Sequence, residues 1–204
     1  MANVYDKLNE KGITLPAPPP KGGVYTPVQE FGTNLLYCSG CGPDLGNGNT
    51  VVGKLGKDLT VEEGQKAAYN CMLNLLANIE AKTGDLNKIK RFVKVLGFVN
   101  SADDFTQQPQ VVNGASNLLV DLFGEEAGCP ARSAIGTNAL PGGIASGIRN
   151  PDGSRIKSCW KQNKNPAKGG ILQHIASPYV LKKLLYTGNT AFCRQLPVQE
   201  LLIL

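Results

Sequence analysis

The stretch "LTVEEGQKAAYNCMLNLLANIEAKTGD", residues 59–85, constrains the fold of this chain more than any other. Thr60 is followed three residues later by Glu63, the spacing of a capping box. The hydroxyl accepts from the amide three residues on and the carboxylate accepts from the amide of the cap, so two backbone donors that a helix start leaves open are satisfied. Ala68, Met72, Leu75, Leu76 and Ile79 then recur at helical spacing and supply one apolar stripe. Gly84 provides the stop. A long helix with an apolar stripe needs a sheet or a second helix against it, and the rest of the chain must supply that surface.

The flanking segments supply it. "VYDKLNEKG" predicts a short N-terminal helix stopped by Gly12, and "LPAPPPKGG" an extended surface spacer, because proline tolerates neither a helix interior nor a central strand. "GVYTPVQEFG" and "NLLYCSG" flank the turn residues Gly32, Thr33 and Asn34 and predict a β-hairpin with Pro27 near a sheet edge. A further short strand is expected around residues 50–52. "IKRFVKVLGFVNS" reads as a strand from its β-branched and aromatic content, and residues 109–123 as a second helix ended by Gly124. "ARSAIGTNAL" reads as another strand, stopped by Pro141, Gly142 and Gly143. The order β-β-(β)-α-β-α-β predicts an α+β fold, one sheet with two helices packed on one face.

Charge divides the chain in two. Of 204 residues with a formal net charge of +5, residues 1–144 hold 12 Lys and Arg against 14 Asp and Glu, while residues 145–204 hold 9 against 2. A body of net −2 lacks the broad positive footprint that phosphate-backbone binding requires, so no nucleic-acid partner is expected. From residue 145 the chain is basic, rich in turn formers and poor in apolar periodicity. The expectation is a body over 1–144 and a tail over 145–204 without packed structure, save one short helix near 179–186. No leader-like apolar segment opens the sequence and nowhere do eighteen apolar residues run together, which predicts a soluble, cytoplasmic protein with no membrane partner.

Two motifs invite chemistry and fail its requirements. Cys38 and Cys41 form a C-x-x-C, but Pro43 and a loop follow where a redox pair needs a helix start. No second C-x-x-C exists and the single histidine, His174, lies in the tail, so no metal site is expected and the six cysteines are read as reduced thiols. "GNTVVGKL" matches G-x-x-x-x-G-K but puts Leu55 where a magnesium-binding hydroxyl belongs, and the helix opens only after Thr60. Arg132, in "GCPARSAIG", differs from both. It opens a strand among small and apolar residues, so its guanidinium must be paired, exposed or facing a ligand, and a planar carboxylate is what that fork holds best.

Taken together, "DLTVEEGQKAA", "VKVLGFVNSADDFTQQPQVVNGASNLLVDLFGE" and "ARSAIGTNALPGG" resemble the YjgF family of reactive intermediate deaminases, also called the Rid or endoribonuclease L-PSP family. Within it, the chorismate-mutase-like subgroup is the nearest match, over about residues 4–143. The resemblance implies a chorismate-mutase-like fold, a homotrimer with ligand clefts between subunits, and no cofactor or metal. It implies hydrolysis of amino-acid-derived enamines and imines to 2-keto acids and ammonia, with a small carboxylate-bearing imine as partner. Arg132 matches the arginine that grips the substrate carboxylate. Tyr25 lies near the family's N-terminal tyrosine and joins Arg132 as a catalytic candidate. Ser39 matches the serine of an S-G-Q motif whose glutamine is here Cys41, and Asn113 and Ser116 fall near a cleft residue on the second helix; Ser39 and Asn113 are substrate-binding candidates beside Arg132. The position two after Arg132, often cysteine in the family, is Ala134.

One departure bears on catalysis. The family closes with a strand of the form V-E-x-E-A carrying a glutamate that helps position water, where this chain reads "IASGIRNPDG". That strand is expected to be replaced. The alternative to a deaminase is therefore a non-catalytic small-molecule-binding or assembly module of the same fold. A third reading, RNA cleavage, is opposed by the net −2 body and the lack of a histidine pair.

Overall fold

The capping box forms as its spacing requires: Glu63 N donates to Thr60 Oγ1 at 3.3 Å and Thr60 N to Glu63 Oε2 at 2.8 Å. It opens α2 (Val61–Thr83), which Gly84 ends at φ 73°. Ala68, Met72, Leu75, Leu76 and Ile79 are all fully buried. A computed structural model describes residues 3–48 and 50–149, with the backbone alone for 154–156. The chain divides into two units, 1–159 and 160–204; the second, with the short helix expected near 179–186, lies outside the described residues.

Helix α1 (Val4–Glu10) is capped by Asn3 and followed by Gly12 at φ 63°. The predicted hairpin is β1 (Val28–Phe31) and β2 (Leu35–Cys38), antiparallel, with Phe31 opposite Leu35 and β1 at the sheet edge beside Pro27. The strand expected over "IKRFVKVLGFVNS" is divided at Val93 into β3 (Ile89–Phe92) and β4 (Lys94–Asn100). Helix α3 (Gln108–Gly128) is interrupted at Gly124 (φ 76°), where it was expected to end, and continues for another turn. Strand β5 (Ala131–Thr137) runs parallel to β4. Around residues 50–52 only an isolated bridge forms, Val52 with Ile144. Strands β6 (Ser146–Arg149) and β7 (Ser154–Ile156) complete two hydrogen-bonded groups, β1-β2-β7-β3 and β5-β4-β6.

The expectation of no packed structure after Gly143 is corrected at β6. Its four residues pair antiparallel with β4, Leu96 opposite Arg149 and Val99 opposite Ser146. On the other side Cys41 and Ile148 exchange backbone hydrogen bonds at 2.9 and 3.1 Å. Ser146 and Ile148 are completely buried, and the Ser146 hydroxyl donates to Phe98 O at 3.1 Å. A strand therefore forms beyond Gly143 from a sequence without V-E-x-E. A small hydroxyl with a backbone acceptor in reach substitutes for an apolar side chain there, which a hydropathy pattern does not register.

Helices α2 and α3 lie on one face of the sheet, and glycines let them close. A Cβ on Gly114 of α3 would lie 2.0 Å from Gln65 O of α2, and one on Gly97 of β4 would lie 2.5 Å from Val112 Cγ2 of α3. Gln65 Nε2 donates across the crossing to Gln110 O at 3.0 Å. Gly114→Ala therefore sets two effects in opposition. Helix propensity favours alanine by about 1 kcal/mol, whereas overpacking against a backbone that cannot rotate away costs about 3 kcal/mol. Denaturant unfolding of Gly114→Ala is expected to show a net loss of about 2 kcal/mol, and a gain in stability would refute the close crossing.

Candidate functional site

Arg132 stands opposite Val95 in the β4–β5 register, on the sheet face that carries the helices. Its Nη1 donates to Asn113 Oδ1 at 2.7 Å and to Ser116 Oγ at 3.0 Å. Asn113 and Ser116 are three apart on α3, so one helical turn presents both acceptors to the same nitrogen. Ser116 Oγ in turn donates to Val112 O at 3.4 Å, which leaves its lone pairs toward the guanidinium. Both hydrogens of Nη1 are thus engaged by neutral groups. The edge formed by Nε and Nη2 has no protein partner among the described residues, and no carboxylate there pairs with the half-buried guanidinium. Two parallel N–H donors in that geometry are what a carboxylate accepts bidentately.

Tyr25 and Ser39 occupy another region. The Tyr25 hydroxyl accepts from Gly22 N at 3.2 Å, and Ser39 Oγ donates to Thr26 O at 2.7 Å, tying the chain before β1 to the end of β2. Tyr25 lines a cleft of about 380 Å³ together with Cys41, Phe98, Leu140, Ile144 and Arg149; Arg132, Asn113 and Ser39 do not line it. The structure therefore joins Arg132 to Asn113 and Ser116, and sets Tyr25 in a separate cleft.

Sequence reasoning missed Arg149. Its Nη2 donates to Tyr37 Oη, and the guanidinium carbon stands 5.1 Å from the Tyr37 ring centroid. If β6 is read against V-E-x-E from Ser146, the two carboxylate positions fall on Gly147 and Arg149, and both residues line the cleft. The signal was in the sequence as an arginine two residues after a glycine, but a tail read as unpacked gave it no face to occupy.

The cleft wall at Cys41 and Gly42 is held from behind by α2. Asn74 Nδ2 donates to Gly42 O at 3.0 Å and to Asp44 O at 2.5 Å, and Asn78 Nδ2 donates to Cys41 Sγ at 3.3 Å. Cys38, Cys41 and Cys71 are free and buried, whereas Cys129 is exposed. Burial pushes the Cys38 thiol up to about 12, with the neighbouring Cys41 adding to the shift, and burial raises Cys41 and Cys71 as well. Thiols so displaced are poor nucleophiles. Among the described residues no group of three or more His, Cys, Asp or Glu side chains could hold a metal ion, and no helix is long and apolar enough to cross a membrane.

A family model described as "YjgF/chorismate_mutase-like, putative endoribonuclease" matches residues 6–143. The chain belongs to this YjgF family. Protein TCP17 of Trypanosoma cruzi is 44% identical over 142 residues, covering 70% of this chain and 88% of that protein. The crystal structure of Atu1372 from Agrobacterium tumefaciens, a protein of unknown function, superposes with a TM-score of 0.68 at 39% identity over 76% of this chain and 92% of its own. A Shewanella oneidensis MR-1 protein carrying the same endoribonuclease description gives a TM-score of 0.70 at 28% identity, over 76% and 99% of the two chains. The YjgF assignment thus rests on sequence and on an α+β architecture that these neighbours share.

The thiol environment makes a direct prediction. Alkylation of the native protein near pH 8, read by peptide mass spectrometry, labels Cys129 and spares Cys38, Cys41 and Cys71 until denaturant is added. The linkage sign is also set. An acid whose folded value is raised from 9.0 to about 12 contributes stability that is fully present below pH 9 and is lost as pH rises toward 12. Replacing Cys38 with alanine is expected to flatten that alkaline loss; an unchanged alkaline slope would contradict the burial argument.

Proposed function

We propose that the protein is a Rid-type deaminase that hydrolyses small carboxylate-bearing enamines or imines to 2-keto acids and ammonia, with Arg132 as the carboxylate clamp. The observation that supports this most is the unpartnered Nε and Nη2 edge of Arg132 beside an Nη1 already fixed by Asn113 and Ser116. Fixing the carboxylate bidentately orients the adjacent C=N carbon, and that orientation is a large part of what hydrolysis by water requires. Water adds to the iminium carbon, the tetrahedral carbinolamine loses ammonia, and the 2-keto acid is released. Tyr25 and Ser39 are proposed to reach the same ligand across a homotrimer interface. The exposure of Phe31 and Ile135 favours contact between copies, since it leaves apolar side chains on the surface of a single chain.

A second reading has its own observation. Gly147 and Arg149 stand where V-E-x-E would place carboxylates, so the described residues of the cleft contain no carboxylate to activate water. On that reading the protein binds the carboxylate ligand without turning it over. RNA cleavage, which the family description suggests, gains nothing from a body of net −2.

Hydrolysis of 2-iminobutyrate separates these readings. The deaminase reading predicts turnover by the wild type and a loss in kcat/KM on the order of 100-fold in folded Arg132→Ala, about 3 kcal/mol for a charge-assisted bidentate contact. Arg132→Lys keeps the charge without the fork and should fall between the two. Binding of 2-oxobutyrate with no turnover of the imine would establish the second reading instead.

A further inference from the structure

We propose that residues 17–21 form an exposed polyproline ridge that docks a second protein, through a groove lined by aromatic rings with a carboxylate one ridge turn away. This surface does not rest on the deaminase reading. Residues 15–21 read L-P-A-P-P-P-K and lie between α1 and β1 with neither helix nor strand. Proline fixes φ at about −65° and keeps the residue before it extended, and prolines occupy positions 16, 18, 19 and 20. The backbone there is thereby held in a left-handed polyproline helix, about three residues per turn, before anything binds. Such a helix makes no internal hydrogen bonds, and among the described residues no hydrogen bond involves 14–21.

The ends of the segment are fixed and its middle is presented. Ile13 and Leu15 pack against the core, and Ile13 N donates to Leu8 O at 2.8 Å. Beyond the ridge, Ser39 N donates to Pro27 O at 2.8 Å. With a period of about three, Pro16 and Pro19 share one face, and both are half-buried. Ala17 with Pro20, and Pro18 with Lys21, make the other two faces, and all four residues are exposed. A hollow of about 440 Å³, bordered by Pro18, Pro19 and Pro20 and by Asn78, Ala81 and Lys82 of α2, leaves one flank of the ridge open. A chain already held in this helix loses little entropy on docking, and aromatic grooves take its pyrrolidine rings. Lys21 pairs with no carboxylate among the described residues and stands one turn, about 9 Å, beyond Pro18. The partner this ridge fits clamps a residue-proline pair such as Ala17-Pro18 between aromatic rings and carries an acidic group about 9 Å along the groove.

Titration of the full chain into a ¹⁵N-labelled WW domain that carries a glutamate beside its aromatic clamp tests the ridge. The expected result is saturable movement of the clamp resonances, lost when the clamp tryptophan of that domain is changed to alanine. Binding should weaken about tenfold when Pro18→Ala and Pro20→Ala are combined, since both the ring contacts and the pre-set backbone are removed. Lys21→Glu should weaken it about threefold or more at low salt, and added salt should shrink that difference. A synthetic peptide of residues 12–24 needs no folding and should bind within about threefold of the intact chain, because the fold already presents the ridge. Absence of binding by both chain and peptide overturns the proposal and leaves the prolines as a stiff connection between α1 and β1. Binding by the peptide alone, or equal binding by the proline variant, overturns it as well.

Discussion

Where α3 crosses α2, backbone meets backbone with no room for a side chain. Gly114 brings α3 against the carbonyl of Gln65 on α2, and Gly97 lets Val112 of the same helix settle onto β4. Any side chain at Gly114 would force the helices apart, since the atom it meets belongs to the main chain and has no rotamer to change. Asn113 and Ser116 flank Gly114 within a single turn, and both accept from Arg132. The contact that seats α3 therefore also sets the distance between its two acceptors and the guanidinium on β5. Packing and site geometry share one cause, so a shift of α3 by a fraction of an ångström would alter both.

The opposite side of α2 performs a comparable task with polar atoms. Asn74 and Asn78 lie four residues apart, are nearly buried, and donate to the loop that follows β2. Each amide nitrogen meets an acceptor on that loop, although Asn74 Oδ1 is buried without a hydrogen-bond partner among the described residues, so Asn74 is held through its donors alone. The consequence is a fixed wall for the cleft that contains Tyr25 and Arg149. Helix α2 thus organises both regions, one through the backbone that Gly114 of α3 meets and the other through hydrogen bonds.

Much of this was legible in the chain because the signals were local. Thr60 with Glu63, Gly84 and the hairpin turn at Gly32–Asn34 each encode their structure within a few residues, and the structure places them accordingly. Arg132 stood out because a guanidinium among small residues at a strand start has few uses. Strand β6 was not legible. Ser146 and Gly147 have neither the bulk nor the branching of a typical strand, and what fixes them is a gap between β4 and Cys41 that exists only once the rest has folded. Arg149 was missed for the same reason. Tyr25 and Ser39 were placed by family resemblance, and within one chain neither lies with Arg132, because adjacent strand positions and the β1–β2 end belong to different faces and edges of the sheet.

What the protein does turns on whether the Nε and Nη2 edge of Arg132 is where a ligand's carboxylate sits. The side-chain ¹H–¹⁵Nε resonance of Arg132, assigned by its loss in Arg132→Lys, reads that edge directly. Titration with 2-oxobutyrate, the keto acid released from 2-iminobutyrate, is predicted to move the resonance saturably and slow its exchange with water, while the uncharged 2-oxobutyramide leaves it in place. A resonance that stays fixed while 2-oxobutyrate binds elsewhere on the protein, or that responds equally to the amide, would contradict the carboxylate clamp.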